Sequence, residues 1–292
     1  MALNLQTLKT RSLSAFVFVI VMLLGLLWNH WTFFILFSII HFGCWIEYQK
    51  LMALIDVDYS QITPFHKYGV MIAGWCIMLY FTNDAYHAGN FTLHSLGWWL
   101  GLIFVFVLPI LELLFSGEIN LKNIGYSSLG LLYISLSWGF MMELRCYGLE
   151  APAGERAYVD LGRIIPCGLI FSIWINDTMA YLVGSLIGKT PFSTISPKKT
   201  WEGTAGGMIL CIVIIALLGW WLNYYSVWDW IAIAGIAAIA GTAGDLLESK
   251  LKRMSNVKDS GHLMPGHGGF LDRFDSLVLA TPFVWLYVRI FM

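Results

Sequence analysis

The chain has 292 residues, of which 58% are hydrophobic, 16% aromatic and only 12% charged, with a net charge of −1. No soluble domain of this length needs so much apolar surface, so the composition excludes a water-soluble globular protein and implies an all-α polytopic membrane protein. The net charge is silent on nucleic acid, but no basic stripe that could track phosphates is present, and no nucleic-acid partner is expected.

Nine apolar runs lie at about 13–28, 31–46, 69–82, 95–115, 126–144, 162–187, 205–222, 227–247 and 276–292, and predict a bundle of about nine transmembrane helices. The first run follows Lys9 and Arg11 like a signal-peptide core. No small-residue cleavage site precedes the next run at Trp31, so an uncleaved first span is expected. A cytosolic N-terminus with alternating spans places most Lys and Arg on the cytosolic side. It leaves Arg145, Arg156, Arg163 and Arg289 opposite, with three of these in the 145–163 loop as the misfit. The same topology puts two polar islands, 188–204 and 249–275, on the cytosolic face. Cys44, Cys76, Cys146, Cys167 and Cys211 are scattered without a C-x-x-C and read as small buried hydrophobes. His41 reads as an ordinary interior histidine, and Glu112 and Glu143 as span-end carboxylates satisfied by neighbours.

Asn176-Asp177-Thr178 interrupts the run at 162–187, and an ionisable group within a span is a functional candidate. The first island, from Gly188 to Gly203, carries Ser196-Pro197-Lys198-Lys199. Ser-Pro sets a turn, adjacent lysines offer point charges to phosphate, and Thr200 is placed to cap the next helix. Asp245 follows Gly241-Thr242-Ala243-Gly244 at the end of an apolar run, with Glu248 on a similar helix face.

The second island packs five cations, four glycines, two histidines and three aspartates into Ser249–Asp275. Asp272 and Asp275, spaced i, i+3, project from one side of a helix and together favour a hard cation such as magnesium. Gly266-His267-Gly268-Gly269 precedes that helix, allowing close approach of backbone N–H groups to phosphate, with His267 as a donor or proton carrier. Lys252, Arg253, Lys258 and Arg273 supply positive charge, which positive-inside topology alone would also explain.

Ser249, Lys252-Arg253, Lys258-Asp259, Pro265, His267-Gly268-Gly269 and Asp272-Arg273-Phe274-Asp275 stand in the register of the signature of the phosphatidate cytidylyltransferase (CDP-diacylglycerol synthase) family, which this chain resembles. Ser196–Gly203 and Asn176–Tyr181 are similar to two further hallmarks of that family, so the resemblance covers residues 176–275. Met264 and Met179 depart from the residues usual at their positions. The resemblance implies transfer of a cytidylyl group from CTP to phosphatidic acid, with magnesium and a monovalent cation such as potassium. It implies metal ligation by Asp245 and Asp272, with Asp275 beside them. Catalytic roles are expected for Asp245, Asp272, Lys258 and His267. Substrate binding is expected of Asp177, Ser196, Lys198, Lys199, Lys252, Arg253, Gly268, Gly269 and Arg273. Residues 1–160 are assigned to packing and a homodimer, and residues 161–292 to catalysis at a bacterial inner membrane. The rival expectations are a cation-coupled transporter, a cytidylyltransferase for another lipid phosphate, and a non-catalytic scaffold.

Overall fold

The computed structural model describes residues 5–115, 120–147, 160–193, 195–261 and 268–292, with backbone alone for residues 5–12. Among the described residues ten α-helices follow one another: α1 (Leu5–Leu27), α2 (His30–Ile55), α3 (Pro64–Tyr80), α4 (Leu93–Phe115), α5 (Leu121–Gly130), α6 (Leu136–Cys146), α7 (Ile164–Ile187), α8 (Trp201–Leu222), α9 (Val227–Met254) and α10 (Leu271–Phe291). A two-residue hairpin, His87–Ala88 with Phe91–Thr92, is the sheet found among the described residues.

All nine apolar runs fall on helix, since α5 and α6 are one rod joined by a π-helical turn at Leu131–Ser135. Six helices among the described residues are long and apolar enough to cross a membrane: α2, α4, α7 with its preceding turn, α8, α9 and α10. The expected count of nine spans is not confirmed: α1, whose side chains are described from Leu13 on, shows an apolar stretch of Leu13–Leu27, and α3 and the α5–α6 rod fall short. The physical reason is length and interruption. At 17 residues α3 rises about 25 Å, short of a hydrocarbon core of about 30 Å. The α5–α6 rod is broken by its π turn and carries Lys122, Glu143 and Arg145.

Local chemistry explains where the helices start. Thr32 N donates to Asn29 Oδ1 at 2.9 Å and Asn29 N to Thr32 Oγ1 at 3.2 Å, a reciprocal cap on α2. Thr63 caps α3 ahead of Pro64, whose missing N–H costs nothing at a first helical position. Thr200 Oγ1 accepts from Gly203 N at 3.1 Å, the cap anticipated from the sequence. Asn223, at φ 55°, turns the chain out of α8 in the left-handed region that asparagine tolerates.

The interior is centred on α2, whose Phe33, Phe37, Ile40, Cys44, Trp45 and Tyr48 are buried. In lipid, association rests on close packing and interhelical hydrogen bonds rather than on apolar burial alone. Trp45 Nε1 donates to Ser135 Oγ at 2.8 Å, and His41 Nε2 shares that hydroxyl at 3.1 Å, so His41 is a buried interior histidine with one ring nitrogen engaged. All five cysteines are buried and unbridged. Arg145 is fully buried in a fork–fork pair with Asp160, at 2.6 and 2.5 Å, and is no free loop charge. Arg156 lies outside the described residues.

Candidate active site

Small residues bring four helices together around a polar cavity. Gly207 and Gly203 of α8 lie so close to Ala180 and Gly184 of α7 that a Cβ at Gly207 would sit 2.7 Å from the Ala180 nitrogen. On the other side, a Cβ at Gly244 of α9 would lie 2.5 Å from the Asp275 carbonyl of α10. These are the close backbone approaches that small residues permit in membrane bundles. The sequence motif Gly241-Thr242-Ala243-Gly244 thus seats Asp245 against the acidic start of α10.

A cavity of about 490 Å³ lies between α7, α8, α9 and α10. Asp177, Lys198, Lys199, Asp245, Asp272, Arg273 and Asp275 line it, so seven sequence-predicted residues meet in one place. A cavity of about 530 Å³ beside Glu143 and Trp285, toward the other end of α10, lacks this convergence of charge.

Three carboxylates converge most tightly. Ligand oxygens of Asp245, Glu248 and Asp275 lie within 4.8 Å of one another. Glu248 is completely buried and is paired with the Lys252 ammonium one turn on. Asp245 is ion-paired with Lys199 and receives a 3.5 Å contact from Ser249 Oγ. Asp275 is buried and accepts from Ser276 N at 2.6 Å.

Asp272 faces the same cavity but is more fully engaged. Its Oδ1 accepts from Lys252 Nζ at 2.7 Å. Its Oδ2 accepts from Gly269 N at 2.7 Å, and from Ser260 N and Ser260 Oγ at 2.9 Å. The carboxylate gathered with Asp245 and Asp275 in this arrangement is Glu248, which the sequence offers only as a neighbour of Asp245.

The loop bearing Lys198 and Lys199 is braced from both ends. Glu202, in the first turn of α8, accepts from Lys189 N at 3.2 Å, Thr190 N at 3.1 Å and Thr190 Oγ1 at 2.8 Å. Trp201 N donates to the Thr190 carbonyl and Phe192 N to the Lys199 carbonyl. Ser196 builds the turn, its carbonyl accepting from Lys199 N at 3.1 Å, and does not line the cavity. Arg253 and Lys258 are exposed and stand off from it. Lys252 is drawn inward by Glu248 and Asp272.

Gly268 has φ +82°, where a side chain is strained, and a Cβ there would meet the Asp272 carboxylate. A Cβ on Gly269 would collide with Glu47. His267 lies outside the described residues, as do Pro265 and Gly266.

Glu47 is a functional residue missed from the sequence. Buried in α2, it accepts from Phe270 N at 2.9 Å, Leu271 N at 2.8 Å and Ser260 Oγ at 2.7 Å. It caps the N-terminus of α10 from another helix, where unsatisfied N–H groups and the helix dipole favour an anion. The available signal was an ionisable residue at the edge of an apolar run.

The arrangement combines hard oxygen donors with lysines and an arginine, which suits a polyphosphate with a divalent cation. The pattern of the Cytidylyltransferase family matches residues 9–291. Phosphatidate cytidylyltransferase 4, chloroplastic, of Arabidopsis thaliana is 35% identical over 198 residues, covering 63% of this chain and 50% of that protein. The phosphatidate cytidylyltransferase of Bacillus subtilis (strain 168) is 32% identical over 197 residues, covering 66% and 68%. That of Staphylococcus aureus (strain COL) is 31% identical over 179 residues, covering 61% and 64%. The chain spans half the length of the plant relative and nearer two thirds of the bacterial ones. With a match that runs nearly from end to end, the chain belongs to the cytidylyltransferase family.

Proposed function

We propose that this chain transfers the cytidylyl group of CTP to phosphatidate, giving CDP-diacylglycerol and pyrophosphate. The observation that carries this reading is the cavity where Lys198, Lys199 and Arg273 face Asp245, Asp272 and Asp275. A phosphate oxygen of phosphatidate attacks the α-phosphorus of CTP. The new P–O bond forms as the bond to the β-phosphate bridging oxygen breaks, and pyrophosphate carries that oxygen away. No covalent enzyme intermediate is needed, so positioning and charge neutralisation carry the rate. Lys198, Lys199 and Arg273 hold the phosphates, while the braced 188–204 loop fixes where the two lysines stand.

The donor set fits magnesium, since carboxylate oxygens within 4.8 Å of one another are hard ligands for a hard cation. Asp245 and Asp275 would hold it with Glu248 behind them, and Asp272 faces the same cavity as the fourth carboxylate. Bound there, magnesium would neutralise phosphate oxygens and favour departure of pyrophosphate. A potassium ion belongs to the same reading, as does a homodimer formed through residues 1–160. The cavity faces the cytosol, where CTP is found, and the acyl chains of phosphatidate enter between helices from the bilayer of a bacterial inner membrane.

A lipid panel tests the substrate. Purified protein in detergent should release pyrophosphate from CTP with phosphatidate and magnesium, and only weakly with other lipid phosphates. Preference for a different lipid phosphate, or substrate-driven ion flux in proteoliposomes without CTP, would replace this reading.

A further inference from the structure

A second constellation lies in the N-terminal half, away from the carboxylate cavity. Ser127 Oγ of α5 is 2.7 Å from His66 Nε2 of α3. His66 Nδ1 is 3.1 Å from Glu112 Oε1 of α4. Thr63 Oγ1 donates to the other Glu112 oxygen at 3.2 Å, fixing the carboxylate. Ser127 and His66 are buried and Glu112 nearly so. The Glu112 carboxylate beside Nδ1 favours the tautomer that carries its proton there, leaving the Nε2 lone pair to accept the Ser127 hydroxyl proton. Serine, imidazole and carboxylate are thus linked in the order and at the distances of a nucleophile, a base and its orienting group.

Hydrogen-bond glue between three helices would account for the distances, but not for what adjoins them. All three side chains line a cavity of about 330 Å³ whose remaining wall is mostly apolar, including Val70, Phe104, Val105 and Leu108. Pockets of this size hold small ligands. Val105 is also 66% exposed on α4, one of the helices apolar enough to cross a membrane, so the cavity reaches a lipid-facing surface. Tyr59 OH stands 3.1 Å from Ser127 Oγ. Burial pushes that phenol above its ordinary range, so it remains a neutral neighbour of the Ser127 hydroxyl.

The geometry points to a second active centre, with Ser127 as nucleophile, His66 as base and Glu112 as its orienting partner, acting on acyl esters presented from the bilayer. Ser127 Oγ bonds to the ester carbonyl carbon while its proton passes to His66 Nε2. The ester C–O bond breaks and the leaving alcohol takes that proton. Water then attacks the acyl-serine, giving up a proton through His66, and the acid departs with the Ser127 hydroxyl restored.

The test uses the full chain in detergent with an alkyl fluorophosphonate, peptide mapping by mass spectrometry, and hydrolysis of p-nitrophenyl esters of increasing chain length. Ser127 should be labelled in the unmodified protein and long-chain esters hydrolysed. Ser127→Ala should abolish both, and His66→Gln should slow both at least tenfold. CTP turnover and thermal melting of each variant serve as the fold control. An unlabelled Ser127, labelling of His66→Gln at the wild-type rate, or ester hydrolysis no faster than in Ser127→Ala would each overturn the assignment.

Discussion

Asp245 and Glu47 are both carboxylates near the same loop, and their surroundings give them different work. Asp245 lines the cavity and its main partner is the cation of Lys199. Removing its charge by Asp245→Asn should leave the fold intact and cost about 10²-fold or more in pyrophosphate release, because it weakens the hold on the magnesium that would neutralise the phosphates. Glu47 is saturated by three donors. Glu47→Ala leaves Phe270 and Leu271 N–H groups without acceptors and should destabilise by about 1–3 kcal/mol, visible as a lower melting temperature, with turnover lost in parallel. Arg253→Ala and Lys258→Ala, exposed and off the cavity, should each change turnover less than threefold in the same assay. Charge scarcity and i, i+3 spacing made Asp245 and Asp275 legible in the sequence. Glu47 was not, because its partners lie more than 200 residues away and no local pattern encodes that contact.

All nine apolar runs were legible as helix, while how many of them cross a membrane was not legible where length is marginal. Runs at 95–115, 162–187, 205–222 and 227–247 became α4, α7, α8 and α9. The run at 126–144 became two helices about a π turn, where buried Ser135 serves both His41 and Trp45. Periodicity cannot foresee a ladder that shifts by one residue to present a hydroxyl. The α9–α10 approach gives a prediction at this scale. Gly244→Val places side-chain atoms where the Asp275 carbonyl stands, and backbone cannot yield as a flexible side chain can. The variant should insert into the membrane at wild-type levels yet lose turnover, because Asp245 and Glu248 no longer face Asp275. Full activity of Gly244→Val would mean the carboxylates need not meet as they do here.

At the scale of the molecule, the polar site is held by elements from both ends of the chain. Glu47 of α2 grips the start of α10, and Ser255 Oγ donates to the Leu51 carbonyl at 3.2 Å, so the polar stretch between α9 and α10 leans on the second helix. The orientation expected from Lys and Arg placement predicts that a cysteine replacing exposed Lys250 reacts with a membrane-impermeant maleimide from the cytosolic side of sealed vesicles alone. The central claim is that the carboxylate-and-lysine cavity activates CTP toward a lipid phosphate. Its most direct measurement is phosphatidate- and magnesium-dependent formation of CDP-diacylglycerol from CTP by the purified chain, compared with Asp245→Asn. Stoichiometric CDP-diacylglycerol and pyrophosphate, both lost in the variant, are predicted. Equal product from the variant, or none from a well-folded wild type, would contradict it.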